Sequence, residues 1–330
     1  MKKKLIFEIA AAVVCIAIVF SVSAYAGYIF MPERTSFGAL WNMFKNEEED
    51  SIDIIYTGSS LAYCDIIPSV IYDNTGYTSY VLAGPEMTFP ISYYYLKEAF
   101  KKQSPGVVML EATGIFFKKY QDYSKVNIGY LPYNANRIEA AFKASEKEER
   151  LGLVFPLYNY HSCWETASFS SLTSKRTDDK IDISAGYTYL TDAVEQPERS
   201  VREQEFVKSD FDYNCGYLKK IKALCEKHGA ELILFFVPSA QYPSAELMEK
   251  FFSNAEGIRV VDYNEQALFD TVGIDMQTDY YDFLHFNIRG ARKFSTVFAD
   301  WISENVSVPK HSHSDELWNE RITYSSGLSE

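Results

Sequence analysis

The sequence predicts an α/β protein: a three-layer α/β/α fold on a five-stranded parallel sheet, with an inserted subdomain and an N-terminal transmembrane helix. Three observations predict it. Apolar runs of strand length alternate with amphipathic segments, as in a parallel sheet covered on both faces. That rhythm breaks between about 116 and 212, where the chain turns rich in Tyr and Phe and carries the charge run Glu146-Lys147-Glu148-Glu149-Arg150. The chain also opens with Lys2-Lys3-Lys4 and then carries no charge from Ile9 to Phe30.

The first 30 residues read as a membrane anchor. A spanning helix needs roughly 20 apolar residues, and Glu8 would sit near the interface. Positive charge ahead of the span favours a cytoplasmic N-terminus, so the rest of the chain would be extracytoplasmic. The competing reading is a cleaved signal peptide, with Ala24-Tyr25-Ala26 as its small-x-small site, which would make the protein secreted. The apolar run continues past that site to Phe30, which favours the anchor; both readings export the same domain. Residues 31–50 read as a juxtamembrane spacer ending in Glu47-Glu48-Glu49-Asp50, residues 51–305 as the main domain, and residues 306–330 as a polar tail in which His311 and His313 are solvated.

Within the main domain, five strands are expected at Ile52–Gly58, Tyr77–Ala83, Gly106–Leu110, Glu231–Val237 and Ile258–Tyr263. Turn signals bound them, among them Asn74-Thr75-Gly76 and Pro238. Helices are expected over Ile91–Lys102, Tyr217–His228, Ser244–Ser253 and Ile288–Glu304, the last with apolar residues at helical spacing. Crossovers between parallel strands are right-handed, and the site of such a sheet lies at the carboxyl ends of its strands.

Composition narrows the function. The formal net charge is −13, and setting aside the three lysines and one glutamate of the anchor leaves about −15. No basic stripe is visible, so nucleic acid is not an expected partner. The five cysteines form no C-x-x-C pair, which argues against a zinc ribbon, and no metal or other cofactor is implied. Export permits disulfides, but the sequence does not pair Cys64, Cys163, Cys215 and Cys225.

Three features fall where the fold would place its chemistry. Thr57-Gly58-Ser59-Ser60-Leu61 follows the first strand, where a tight strand-to-helix turn presents a serine outward with its own N–H free for an oxyanion. Asp282-Phe283-Leu284-His285 precedes the last helix. Histidine is the base that a weakly nucleophilic hydroxyl needs near neutral pH, and a carboxylate fixes its tautomer. Leu82-Ala83-Gly84 ends the second strand, where Gly84 offers a further N–H.

In this order the blocks resemble those of the SGNH (GDSL-type) hydrolase family. Gly58-Ser59-Ser60-Leu61 lies on the Gly-Asp-Ser-Leu block, with Ser59 in place of Asp. Gly84 matches the second-block glycine, and Asp282-x-x-His285 with Asn287 and Gly290 matches the last block. The resemblance covers about 52–113 and 217–304. It implies a flavodoxin-like sheet, Ser60, His285 and Asp282 as the catalytic triad, and Ser60 and Gly84 N–H groups as the oxyanion hole. One departure stands out: Leu110-Glu111-Ala112-Thr113 occupies the third block, where an asparagine usually adds an oxyanion donor. The loss of one donor typically costs a hundredfold or more in rate. The Gly-Ser-Ser form and the anchor resemble the membrane-anchored D-alanyl transfer protein of teichoic-acid modification and the alginate-type O-acetyltransferases. Ser59, Glu111, His161 and Trp164 are candidate substrate-binding residues; for the last two, an aromatic core of the insertion is the alternative. The implied activity is a serine esterase or O-acyltransferase on a cell-envelope glycan or polymer, working with envelope acyltransfer partners. The other reading is a catalytically weak binding or assembly protein on the same fold.

Overall fold

The computed structural model describes residues 2–38, 40–160, 163 and 176–328. Its centre is a five-stranded parallel sheet: β1 (Ile54–Gly58), β2 (Ser79–Ala83), β3 (Val107–Glu111), β4 (Glu231–Phe236) and β5 (Arg259–Asp262), in the order β2-β1-β3-β4-β5. This is the flavodoxin-like order, with its switch point at β1 and β3. Ile54 pairs with Ser79 on one side and Val107 on the other, and Gly58 is level with Ala83. Every residue of β1, β2 and β3 is buried, which explains why they read as near-continuous apolar runs.

Helices cover both faces. The helix Ile288–Asn305 starts where Asn287 caps it, its Oδ1 accepting from Arg289 N at 3.0 Å. Ile288, Ala291, Phe294, Phe298 and Ile302 recur at helical spacing and are all buried. Phe298 meets Tyr56 of β1 and Phe235 of β4, with ring centroids 6.1 and 5.3 Å apart. Its replacement by alanine would cost about 3–5 kcal/mol in lost burial and cavity formation. Elsewhere, the helices Phe89–Ala99 and Lys208–Lys227 pack on each other through Tyr94 and Tyr217. The latter begins nine residues before the expected start at Tyr217, because the polar opening Lys208-Ser209-Asp210 hides its first turn.

The N-terminal helix Lys2–Phe30 is long and apolar enough to cross a membrane or to serve as a signal sequence.

Two stretches differ from their sequence reading. In the expected spacer, a short helix Trp41–Phe44 is buried, with Trp41 against Tyr95 and Phe44 against Tyr80, both at 5.0 Å between centroids. In the expected solvated tail, a helix Asp315–Gly327 stacks Trp318 on Tyr72 at 4.6 Å. Arg321, 1 % exposed, donates to Glu47 Oε1 at 2.6 Å and to the Asp182 carbonyl. His311 and His313 meet Asp53 and Tyr72 rather than solvent alone. The partners lie some 140 to 275 residues away in sequence, so local polarity could not reveal them.

The second half of the insertion runs over the carboxyl end of the sheet. Ala185 accepts from Val81 N, Thr188 N donates to Tyr63 O, and Leu190 O accepts from Ile288 N. Further on, Ser200–Val201 pairs in parallel with Gln241–Tyr242.

Candidate active site

Ser60 begins the helix Ser60–Asp65 directly after β1. Two constraints create that turn. Gly58 has φ +140°, and a Cβ there would lie 2.6 Å from the Glu111 Cβ, so only glycine fits. Ser59 caps the helix, its Oγ accepting from Leu61 N at 3.3 Å while donating to Glu111 Oε2 at 2.6 Å. The other carboxylate oxygen of Glu111 accepts from Thr113 N at 2.7 Å. Ser60 is thereby left half-buried, facing a cleft.

His285 and Asp282 come from the loop before Ile288–Asn305. His285 Nε2 lies 2.6 Å from Ser60 Oγ, and Nδ1 lies 2.9 and 3.1 Å from the two Asp282 oxygens. Asp282 Oδ1 also accepts from the N–H groups of Leu284 and His285 at 2.7 and 2.8 Å. Burial pushes the Asp282 carboxyl up, but the His285 hydrogen bond and charge and the two backbone donors outweigh it, leaving the carboxyl below its ordinary value. The three side chains form a continuous hydroxyl–imidazole–carboxylate relay with the geometry a nucleophile and its base need.

A residue the sequence reading passed over ties the two halves together. Asp65 is fully buried at the end of the serine's helix, and its Oδ1 accepts from Phe286 N at 2.9 Å, next to His285. Burial, with Asp282 and Glu111 adding repulsion, raises its carboxyl well above the ordinary range. No local pattern marks it, because its partner is 221 residues away.

The other predicted residues fall differently. The Gly84 N–H donates to the Gly58 carbonyl at 3.2 Å, extending the β1–β2 ladder. Gly84 is needed for a steric reason: a Cβ there would lie 2.2 Å from Asn127 Oδ1. The Ser60 N–H lies in the first turn of its helix, where backbone donors have no intrahelical acceptor. Glu111 is fully buried beneath the turn and braces the serine, while Ser59, 2 % exposed and held by Glu111, lines the floor of the cleft. Burial raises the Glu111 carboxyl, against the lowering effect of its hydrogen bonds to Ser59 and Thr113. His161 and Trp164 lie outside the described residues.

The cleft has a volume of about 830 Å³, within the usual range for small-molecule sites. Ser60, Asp282 and His285 line one side; Arg34 and Phe37 of the spacer, Glu86, Phe116–Lys118 and Arg202–Glu205 are among the residues that line the rest. Arg202 N donates to Tyr242 O, and the Arg202 guanidinium shares the cleft with the Glu86 carboxylate, whose charge favours its own. Arg34 and Phe37 were read as part of a spacer, and Arg202 as part of an insertion, so neither carried a sequence signal. Cys64 also lines the cleft, but burial, then Asp65 and Asp282, push its thiol well above the ordinary value. It stays protonated and is no rival to Ser60.

No protein-family model and no curated protein matches the chain. Among solved structures, the chain is similar to a protein described as a "putative acylhydrolase" from Bacteroides fragilis, with 12 % identity, a TM-score of 0.38, and coverage of 82 % of this chain and 95 % of that one.

Proposed function

We propose that this protein is a serine esterase or O-acyltransferase of the SGNH type, held at the outer side of a membrane by its N-terminal helix and acting on an acyl ester of a cell-envelope glycan or polymer. The observation that carries the reading is the 2.6 Å approach of His285 Nε2 to Ser60 Oγ, with Asp282 behind the imidazole. Ser60 Oγ attacks the ester carbonyl as His285 takes its proton, and the oxyanion forms against the Ser60 N–H. Collapse of the intermediate expels the alcohol, protonated by His285, and leaves an acyl group on Ser60. Water as the second acceptor gives hydrolysis; a sugar or polyol hydroxyl gives transfer. Arg202 supplies a positive charge for an anionic substituent on donor or acceptor. A polymer-borne acceptor would be presented by a partner protein of the envelope.

A second reading, a binding or assembly protein of the envelope, is favoured by one observation: with Gly84 committed to the sheet and Glu111 in place of a donor, the oxyanion has few hydrogen-bond donors. Turnover separates the two. The full-length protein in detergent is expected to cleave a chromogenic acetyl ester, and Ser60→Ala to lose that activity. Acetylated glycerol forming alongside acetate would identify transfer. Equal turnover by wild type and Ser60→Ala would contradict the enzymatic reading.

A further inference from the structure

The insertion contains an apolar surface that the catalytic reading does not use. The short helix Pro156–Tyr160 lies against the N-terminal helix, and the helix Arg150–Val154 packs beside it in turn. The contact is close: a Cβ on Gly27 would lie 2.2 Å from the Pro156 Cβ, and Phe20 and Phe155 rings meet at 5.2 Å. Beside it runs an apolar groove of about 650 Å³ lined by Ile18, Val19, Val22, Phe155, Leu157 and Tyr158. Leu151, Leu157 and Tyr158 are 51, 37 and 59 % exposed.

The groove's position on the long helix decides what covers it. At about 1.5 Å per residue, Ile18–Ser23 lies roughly 10–18 Å before the helix end at Phe30. The uncharged run Ile9–Phe30 is about 33 Å long, close to the roughly 30 Å hydrocarbon thickness of a bilayer. If that run spans the membrane, Ile18–Ser23 reaches from its midplane into its outer half, and whatever packs on it there faces lipid. The domain is tied to the end of the helix, where the Arg176 guanidinium donates to the carbonyls of Tyr28 and Met31 at 2.8 Å each, and Tyr130 Oη donates to Pro32 O.

We infer that residues 151–158 enter the outer leaflet beside the anchor, with lipid acyl chains in the groove, so that two elements dock the domain and its cleft opens next to the membrane surface. Arg34 and Phe37, which line the cleft, follow Phe30 by four and seven residues, at most about 14 and 25 Å of extended chain. A cleft so placed reaches acyl groups on lipids or on membrane-embedded carriers. The inference rests on the membrane-anchor reading, and the experiment separates the two.

The full-length protein is reconstituted into phosphatidylcholine–phosphatidylglycerol vesicles containing a phospholipid with a diazirine in its acyl chain, irradiated, digested and mapped by mass spectrometry. Adducts are expected on peptides covering Leu151–Tyr158 as well as on the anchor. Adducts on the anchor alone would overturn the inference and leave the anchor reading intact; adducts on neither would overturn both. In Leu157→Glu/Tyr158→Glu, adducts on 151–158 should fall several-fold while those on the anchor persist. Undiminished labelling of 151–158 in this variant would also count against the inference.

Discussion

The two walls of the cleft are built differently. The wall that belongs to the sheet is held by a network of polar contacts: Ser59 on Glu111, Asp282 on two backbone N–H groups, and Asp65 on the His285 loop. The facing wall comes from the segment after the N-terminal helix and from the insertion, and is made of aromatic and charged side chains such as Phe37, Phe117, Lys118 and Arg202. Phe37 is 56 % exposed, and Lys118 pairs with Glu205 in a solvent-exposed bridge at 3.2 Å. The difference teaches that the chemistry is set by a rigid scaffold, while the fit to substrate is left to loops that vary at little cost to the fold.

Substitutions on the sheet wall should therefore act on turnover, and those on the facing wall on binding. The largest effect is expected at Asp282. Asp282→Asn keeps the shape but upsets the imidazole tautomer, and kcat for a chromogenic ester should fall by roughly 10⁴-fold with KM little changed. A rise in KM alone would mean that Asp282 is a surface contact. Next comes Glu111, a positioning residue. Glu111→Ala releases Ser59 and should lower kcat by up to about a hundredfold, as a displaced nucleophile would. Glu111→Gln keeps an acceptor and should recover most of that loss; equal damage from both variants would point to the negative charge instead.

Arg202→Gln tests the facing wall. It should raise KM roughly tenfold or more for an ester bearing a carboxylate or phosphate, through loss of a charged hydrogen bond, and leave a neutral ester unchanged. Equal effects on both esters would remove Arg202 from substrate recognition.

The smallest effect concerns Asp65 and is read as stability. Its folded-state pKa is raised, so above about pH 4 the folded protein keeps a proton that the unfolded chain releases. Its contribution to stability is full below the unfolded pKa and is lost as pH rises towards the folded value. Asp65→Asn lacks this dependence, so its Tm relative to wild type should climb with pH over that range. A difference that is flat in pH would show that the carboxyl does not titrate there. Asp65→Ala leaves the Phe286 N–H unpaired and should cost about 1–3 kcal/mol at any pH.

Much of the sheet and of its wall was legible because the signals are local. Five apolar runs, a glycine at a forced turn and Asp-x-x-His before an amphipathic helix each lie within a few residues. What escaped notice depends on distant pairing. Asp65 meets Phe286, Arg321 meets Glu47 across 274 residues, and Arg202 reaches the cleft through a two-residue strand. At Gly84 the ladder hydrogen bond to the Gly58 carbonyl comes from pairing with a strand about 25 residues away, which the local motif does not show. Glu111 was visible as a departure, but its function as a brace depends on the pairing of β3 beside β1.

The central claim is that Ser60 is an activated nucleophile. The most direct measurement is mass-spectrometric mapping of the full-length protein after reaction with a fluorophosphonate. A single phosphonyl adduct on Ser60 is predicted, absent in Ser60→Ala and strongly reduced in His285→Ala. Equal labelling of wild type and Ser60→Ala, or an adduct confined to another residue, would contradict it.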